Sequence, residues 1–333
     1  MKNTERKIRF EDGVFKDTFL KFIEYKQGLG FSYGNAAQSS LSRINSFLNH
    51  IGCEYLTLTK EVVMRLASSR EGESPATRIK RICYLRHLAS FMQEIGYEAY
   101  VYPSHYNMVF HDSFTPYIFS REQMKVIIRY ADMLSPKVCS PRYHLVWPAF
   151  IRVLYGCGLR LSEALNLKIV DVDLVVGVLL IEKSKNGTSR YVPVSHSLKN
   201  YLIKYSLAMT FKYHDDTFFF PAPDGGHYAP STARDRIKGF YKIARIPKLA
   251  SGNYPRVHDI RHTFCCHTLI KMQELGHDLY YALPILSVYL GHQGIRDTER
   301  YLHLPVFLYR KILDNSSKLL NNIIPEVTDE ESL

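Results

Sequence analysis

One stretch of this chain is out of step with everything around it. From Val172 to Ser195 the sequence is dense in valine, isoleucine and leucine ("VDLVVGVLLI") and carries Asn186-Gly187. Asn-Gly is the strongest short hairpin signal, because both residues tolerate the positive φ angles of a type I′ turn. This predicts two or three antiparallel strands with a tight turn at 186–188. On both sides the apolar residues recur at helical spacing instead. The expected fold class is therefore mainly α with a small antiparallel β-sheet (α+β).

The helical segments can be read one by one. Phe19, Leu20, Phe22 and Ile23 form one apolar face, which ends at Gly28 and Gly30. Leu41, Ile44, Phe47, Leu48 and Ile51 form another, which stops at Gly52. Thr59 is the expected N-cap of a short third helix. Residues 74–96 read as a long helix whose Ile79, Ile82, Cys83, Leu85, Leu88 and Phe91 can face a core. Its Arg78, Lys80, Arg81 and Arg86 lie largely off that face, as solvated residues or phosphate contacts. Two prolines and mixed composition break the helical pattern over 101–118 and mark a linker, placed at 106–118. Ser120 with Gln123 is a capping-box signature opening a second domain near 119. Residues 233–245 read as a further basic helix, with Arg234, Arg236 and Lys238.

With 333 residues, 46% of them hydrophobic and 23% charged, the composition is globular; a disordered chain, a fibre and a disulfide miniprotein are excluded. The apolar runs are about ten residues, short of the roughly 20 that span a bilayer. With no apolar leader at the N-terminus, a cytoplasmic protein is expected. The six cysteines form no C-x-x-C pair, so no zinc ribbon or disulfide framework is suggested. His262 and Cys266 could share a helix face, but no second ligand pair appears, and helix packing is the preferred role. The net charge of +11 falls mostly after residue 118, as expected of a nucleic-acid binder or of a basic enzyme.

Four segments carry chemistry: "YGCGLRLSEALNL", "KSKNGTSRYVPV", "PRVHDIRHTF" and "LSVYLGHQGIRDTERYLHL". They offer Arg160, Lys185, His258, Arg261, His292 and Tyr301, which are cations and imidazoles beside a phenol. A hard-metal phosphoryl-transfer site would instead want clustered carboxylates. Fixed guanidinium groups, a nucleophile, an acid and a base are the parts of a metal-free one.

These segments resemble the tyrosine recombinase (phage integrase) family. G-L-R-x-S-E matches Gly158, Leu159, Arg160, Ser162 and Glu163. The family's hairpin lysine matches Lys185, with Lys183 as its rival. H-x-x-R-H matches His258, Arg261 and His262, and L-G-H matches Leu290, Gly291 and His292. The family's tyrosine follows that histidine by nine positions, which is Tyr301 here; Tyr289 and Tyr309 are nearby competitors. The 31 positions from Arg261 to His292 are several more than the simplest members have, a form associated loosely with mobile-element integrases.

The resemblance implies a great deal. Residues 1–105 would be a helical core-binding domain and 119–325 the catalytic domain, together a C-shaped clamp on double-stranded DNA. Residues 305–324 would be an exchange helix docking on a neighbouring protomer, and 326–333 an acidic tail. The working unit would be a homotetramer on two DNA sites, open to a directionality factor or a second recombinase. Arg160 and Arg261 would clamp the scissile phosphate, and Tyr301 would attack it. His258 would act as base, Lys185 as acid and His292 as a hydrogen-bond donor. Neither metal nor another cofactor is implied. Arg78, Lys80, Arg81, Arg86, Arg234, Arg236 and Lys238 are the candidate DNA contacts.

Overall fold

The computed structural model describes residues 8–104, 115–182, 189–210, 217–292, 294 and 298. Lys183, Lys185, the Asn186-Gly187 turn, Tyr301, Tyr309, the 305–324 segment, the acidic tail and most of the expected linker lie outside the described residues. The chain divides into two compact units, Met1–Ser113 and Phe114–Leu333.

Among the described residues of the first unit are α1 (Lys16–Gly28), α2 (Asn35–His50), α3 (Lys60–Ala67) and α4 (Pro75–Glu94). Their starts follow from local chemistry. Thr59 accepts a hydrogen bond from the Val62 amide, and Ser74 accepts one from the Thr77 amide ahead of Pro75. Phe15, Phe19, Phe22, Leu41, Ile44, Leu48, Leu66, Leu85 and Leu88 fill the core. Leu20 is exposed instead, because it sits one step off the Phe19–Phe22–Ile23 face.

The second unit opens with α5 (Arg121–Asp132), where Ser120 and Gln123 form the expected capping box. Helix α6 (Tyr143–Cys157) runs through its centre, in contact with α5, α8 (His196–Met209) and α10 (His258–Glu274). Trp147 and Phe150 of α6 pack with Phe219, Phe220 and Phe240, all essentially out of solvent. Each such ring contributes about 1.5–3 kcal/mol through burial. The described residues also include α7 (Leu161–Leu165), α9 (Pro230–Ile243) and α11 (Leu279–Leu290).

The period change does mark the sheet. Strands β1 (Val172–Asp173), β2 (Val178–Ile181) and β3 (Arg190–Pro193) pair antiparallel in that order. The turn from β1 to β2 was hidden inside one apolar run. Asp173 Oδ1 accepts from the Val175 and Val176 amides, and Gly177 supplies a φ of 87°. Leu179 and Ile181 point inward, while Tyr191 of β3 stays in solvent.

Candidate active site

The site is organised by the C-terminal end of α11. Gly291 takes a left-handed φ of 67° there. This lets the His292 amide donate back to the Ser287 carbonyl at 3.1 Å and the Gly291 amide to Val288 at 3.0 Å. That pair is a Schellman motif, and it leaves the carbonyls of residues 289, 290 and 291 for other donors. Each of the three meets a different arginine. Arg190 Nε donates to Tyr289 at 2.9 Å, and Arg261 Nη2 donates to Leu290 at 2.8 Å. Arg160 Nη2 reaches Gly291 at 3.5 Å. A helix C-terminus carries partial negative charge, so it gathers guanidinium groups readily.

Glu163 gathers the same groups from the other side. Arg160 caps α7, donating its amide to Glu163 Oε2 at 2.9 Å and its Nη1 to Oε1 at 2.8 Å. Arg190 donates Nη1 to Oε1 at 3.1 Å and Nη2 to Oε2 at 2.9 Å. Arg261 Nη1 lies 3.8 Å from Oε2. Burial alone would raise the Glu163 pKa, but hydrogen bonds and charge from Arg190 and Arg160 outweigh it and hold the carboxyl at about 2. One carboxylate thus faces three guanidinium groups. The local surplus of positive charge, in a partly dry setting, suits an anion with several oxygens, as a phosphodiester has.

Arg261 is 1% exposed. Its Nη1 also donates to the Gly158 carbonyl at 2.9 Å. Gly158 ends α6 at φ 60°, and a Cβ there would lie 2.3 Å from Phe264 Cδ1. Only glycine lets the backbone turn so tightly against that ring. The glycine before "LR" therefore has a steric reason, and it sets both Arg160 and a partner of Arg261.

Two histidines flank the guanidiniums. His258 begins α10, its ring edge-on to His262 with centroids 4.7 Å apart. Desolvation by the surrounding protein, then the charges of Arg261, Arg256 and Arg160, lower its pKa to about 4. It is neutral at pH 7 and able to accept a proton. His292 Nε2 lies 3.1 Å from Arg261 Nη2, and its Nδ1 lies 2.8 Å from Thr298 Oγ1. A guanidinium only donates, so Nε2 accepts and Nδ1–H donates to the buried threonine.

The sequence pattern of the phage integrase family matches residues 120–306, more than half of the chain. The chain belongs to the phage integrase family. That makes it an enzyme of the tyrosine site-specific recombinase class. A putative integrase/recombinase of Sinorhizobium fredii is 29% identical over 87% of this chain and 92% of its own length. Tyrosine recombinase XerC of Oceanobacillus iheyensis is 25% identical over the same shares. Among solved structures, the Tn1549 transposon integrase in complex with transposon right end DNA has a TM-score of 0.62 at 17% identity, covering 89% of this chain and 98% of that one. XerH bound to its palindromic difH substrate has a TM-score of 0.62 at 18% identity, covering 84% and 77%. At these identities the two structures speak for the fold.

The structure brings Arg160, His258, Arg261 and His292 together, with Lys185 and Tyr301 outside the described residues. Tyr289 is tied down: its hydroxyl donates to the Pro193 carbonyl at 3.3 Å, its ring stacks on Phe264, and burial pushes its phenol pKa far up. Cys265 and Cys266 pack against Leu283 and Leu286 of α11.

Of the basic candidates, Lys80, Arg234 and Lys238 are exposed. Arg78 donates to the Ala67 carbonyl, and the Arg236 guanidinium covers the Tyr143 ring at 4.7 Å. Arg86 is half-buried. Arg81 departs from expectation. It is 7% exposed, ion-paired to Glu73, and donates to the Ser68 carbonyl at 3.0 Å. Its guanidinium is used inside the helical unit, so the expected phosphate contact is not carried forward for it.

Two residues escaped the sequence reading. Arg190 stands in "KSKNGTSRYVPV" and Thr298 in "LSVYLGHQGIRDTERYLHL", neither with a role assigned from sequence. "RYVP" alone gives no sign that its arginine folds back onto a glutamate 27 positions earlier.

Proposed function

We propose that this integrase cleaves and rejoins duplex DNA at specific sites through a 3′-phosphotyrosyl intermediate. The observation that carries this reading is the convergence of Arg160 and Arg261 on Glu163 and the α11 C-terminus, beside a neutral His258 and His292. Arg160 and Arg261 hold the non-bridging oxygens of the scissile phosphate. Tyr301 Oη attacks phosphorus, forming the P–O(Tyr) bond as the P–O5′ bond breaks. His258 takes the phenolic proton. Lys185 gives a proton to the departing 5′ oxygen. Attack by another 5′-OH reverses the chemistry and completes exchange. The phosphotyrosine conserves the bond energy, so the cycle calls for neither ATP nor a metal.

His292 donates to a phosphoryl oxygen in this scheme, which requires the proton on Nε2. The Thr298 hydroxyl can accept from Nδ1 or donate to it, so either tautomer finds a partner. When phosphate enters, Arg261 Nη2 exchanges His292 for a phosphate oxygen.

Residues 1–105 act as a DNA-clamping domain and 119–325 as the catalytic domain, with Lys80, Arg234 and Lys238 the best placed of the basic candidates for phosphates. The segment 305–324 joins protomers in a tetramer on two sites, in the cytoplasm. The test is strand exchange between two labelled duplexes cut from the DNA flanking the gene. Joint molecules support the reading. Relaxation of supercoils without joint molecules makes it a nicking-closing enzyme, and a salt-dependent mobility shift with neither makes it a silent binder.

A further inference from the structure

Arg190 donates three hydrogen bonds within the site, and the scheme above gives it no role. Its guanidinium is a three-way tie. Nη1 and Nη2 grip both oxygens of Glu163, and Nε grips the Tyr289 carbonyl. Its side chain is 11% exposed and that of Glu163 4%. Its aliphatic stem also lies against Gly291: a Cβ built there would meet Arg190 Cδ at 3.0 Å. Arg190 therefore touches both the carboxylate that orients Arg160 and the backbone turn that carries His292. It does so from β3, an element belonging to neither.

We infer that Arg190 is a positioning residue, which locks Glu163, and through it Arg160, against the Gly291–His292 turn so that guanidinium and imidazole hold one fixed spacing before DNA arrives. The inference rests on the recombinase reading above for its consequence, and on described contacts alone for its geometry. The physical reason is the fork. A planar guanidinium can satisfy a carboxylate with two parallel hydrogen bonds while its third nitrogen serves a carbonyl. An ammonium can hold the charge but cannot hold that angle. Without the fork, Glu163 is free to follow Arg160 as it moves, and the turn loses the contact that packs on Gly291.

The experiment compares wild type, Arg190→Lys and Arg190→Ala in the full chain. Covalent complex formation is timed on nicked duplexes cut from the flanking DNA, and DNA affinity is measured by mobility shift. Independently of activity, the His292 imidazole nitrogens are followed by 15N NMR, assigned by their loss in His292→Gln. Arg190→Ala is expected to slow covalent complex formation by about tenfold or more, since small misplacements of reacting groups carry large rate penalties. DNA affinity should change by no more than about threefold, the mark of a group acting on the rate rather than on binding. Arg190→Lys should fall between the two, and the His292 signals should shift in Arg190→Ala. Wild-type rates in Arg190→Ala, a rate loss matched by an equal loss of affinity, or unmoved His292 signals would each overturn the inference. If wild type forms no covalent complex on any flank, the recombinase reading fails instead, and the His292 signals still decide whether Arg190 sets the turn.

Discussion

Replacing Glu163 with glutamine keeps the shape of the side chain and removes the one negative charge that three guanidinium groups face. The cost follows from the carboxyl's own titration. A group held at about 2 against an ordinary 4.5 has its charged form stabilised by about 3 kcal/mol. The cost of breaking a buried ion pair, about 3–5 kcal/mol, agrees in scale. For a unit of this size, 1 kcal/mol moves the midpoint by roughly 2–4 °C, so Glu163→Gln should lower Tm by roughly 6–12 °C at pH 7. The sign of the pH dependence is fixed by the depressed folded pKa. The stabilisation is whole above the unfolded pKa and is lost as pH falls from there toward 2. At pH 3.5 about 1.4 kcal/mol of it should be gone, and the gap between wild type and variant should narrow. Thermal unfolding followed by circular dichroism at the two pH values reads both effects. Equal midpoints at pH 7, or a gap that does not narrow on acidification, would mean that the Glu163 charge does not stabilise the fold.

Other expectations follow from the same contacts. Gly158→Ala places a Cβ 2.3 Å from the Phe264 ring at a positive φ and should cost about 2 kcal/mol or more in denaturant unfolding. Thr298→Val removes the hydroxyl partner of His292 Nδ1; it should slow covalent complex formation by about tenfold with DNA affinity kept. Tyr289→Phe keeps the backbone carbonyl and loses only the hydroxyl held by Pro193, so the covalent band should persist. Arg81→Ala leaves Glu73 without its ion-pair partner and should destabilise the first unit by about 3 kcal/mol. Lys80→Ala should leave stability alone and reduce the salt slope of DNA binding by about one.

Much of this architecture is legible in the sequence. The Ser120–Gln123 capping box, the glycine stops and the change of period between 172 and 195 each act over a few residues, and local signals of that kind survive in sequence. Arg160, Arg261 and His292 were singled out by resemblance to the family's motifs; Gly158 and Gly291 set the turns before Arg160 and His292, and Arg261 donates to the Gly158 carbonyl. What was not legible depends on contacts between distant segments. Arg81 sits off the apolar stripe of its helix and so reads as surface, yet Glu73 folds back from the preceding loop to bury it. Arg190 meets a carbonyl 99 positions away, and nothing in a short strand announces that. The three-arginine arrangement around the α11 C-terminus is a tertiary fact, although every residue in it was visible.

A phosphotyrosyl bond formed through Tyr301 can be trapped before it is resolved. Nicked suicide duplexes cut from the flanking DNA, incubated in EDTA with wild type and with Tyr301→Phe, are resolved on denaturing gels. A shifted protein–DNA band in wild type alone is the predicted result. A band of equal strength in Tyr301→Phe would contradict attack by Tyr301 and move the nucleophile to another residue.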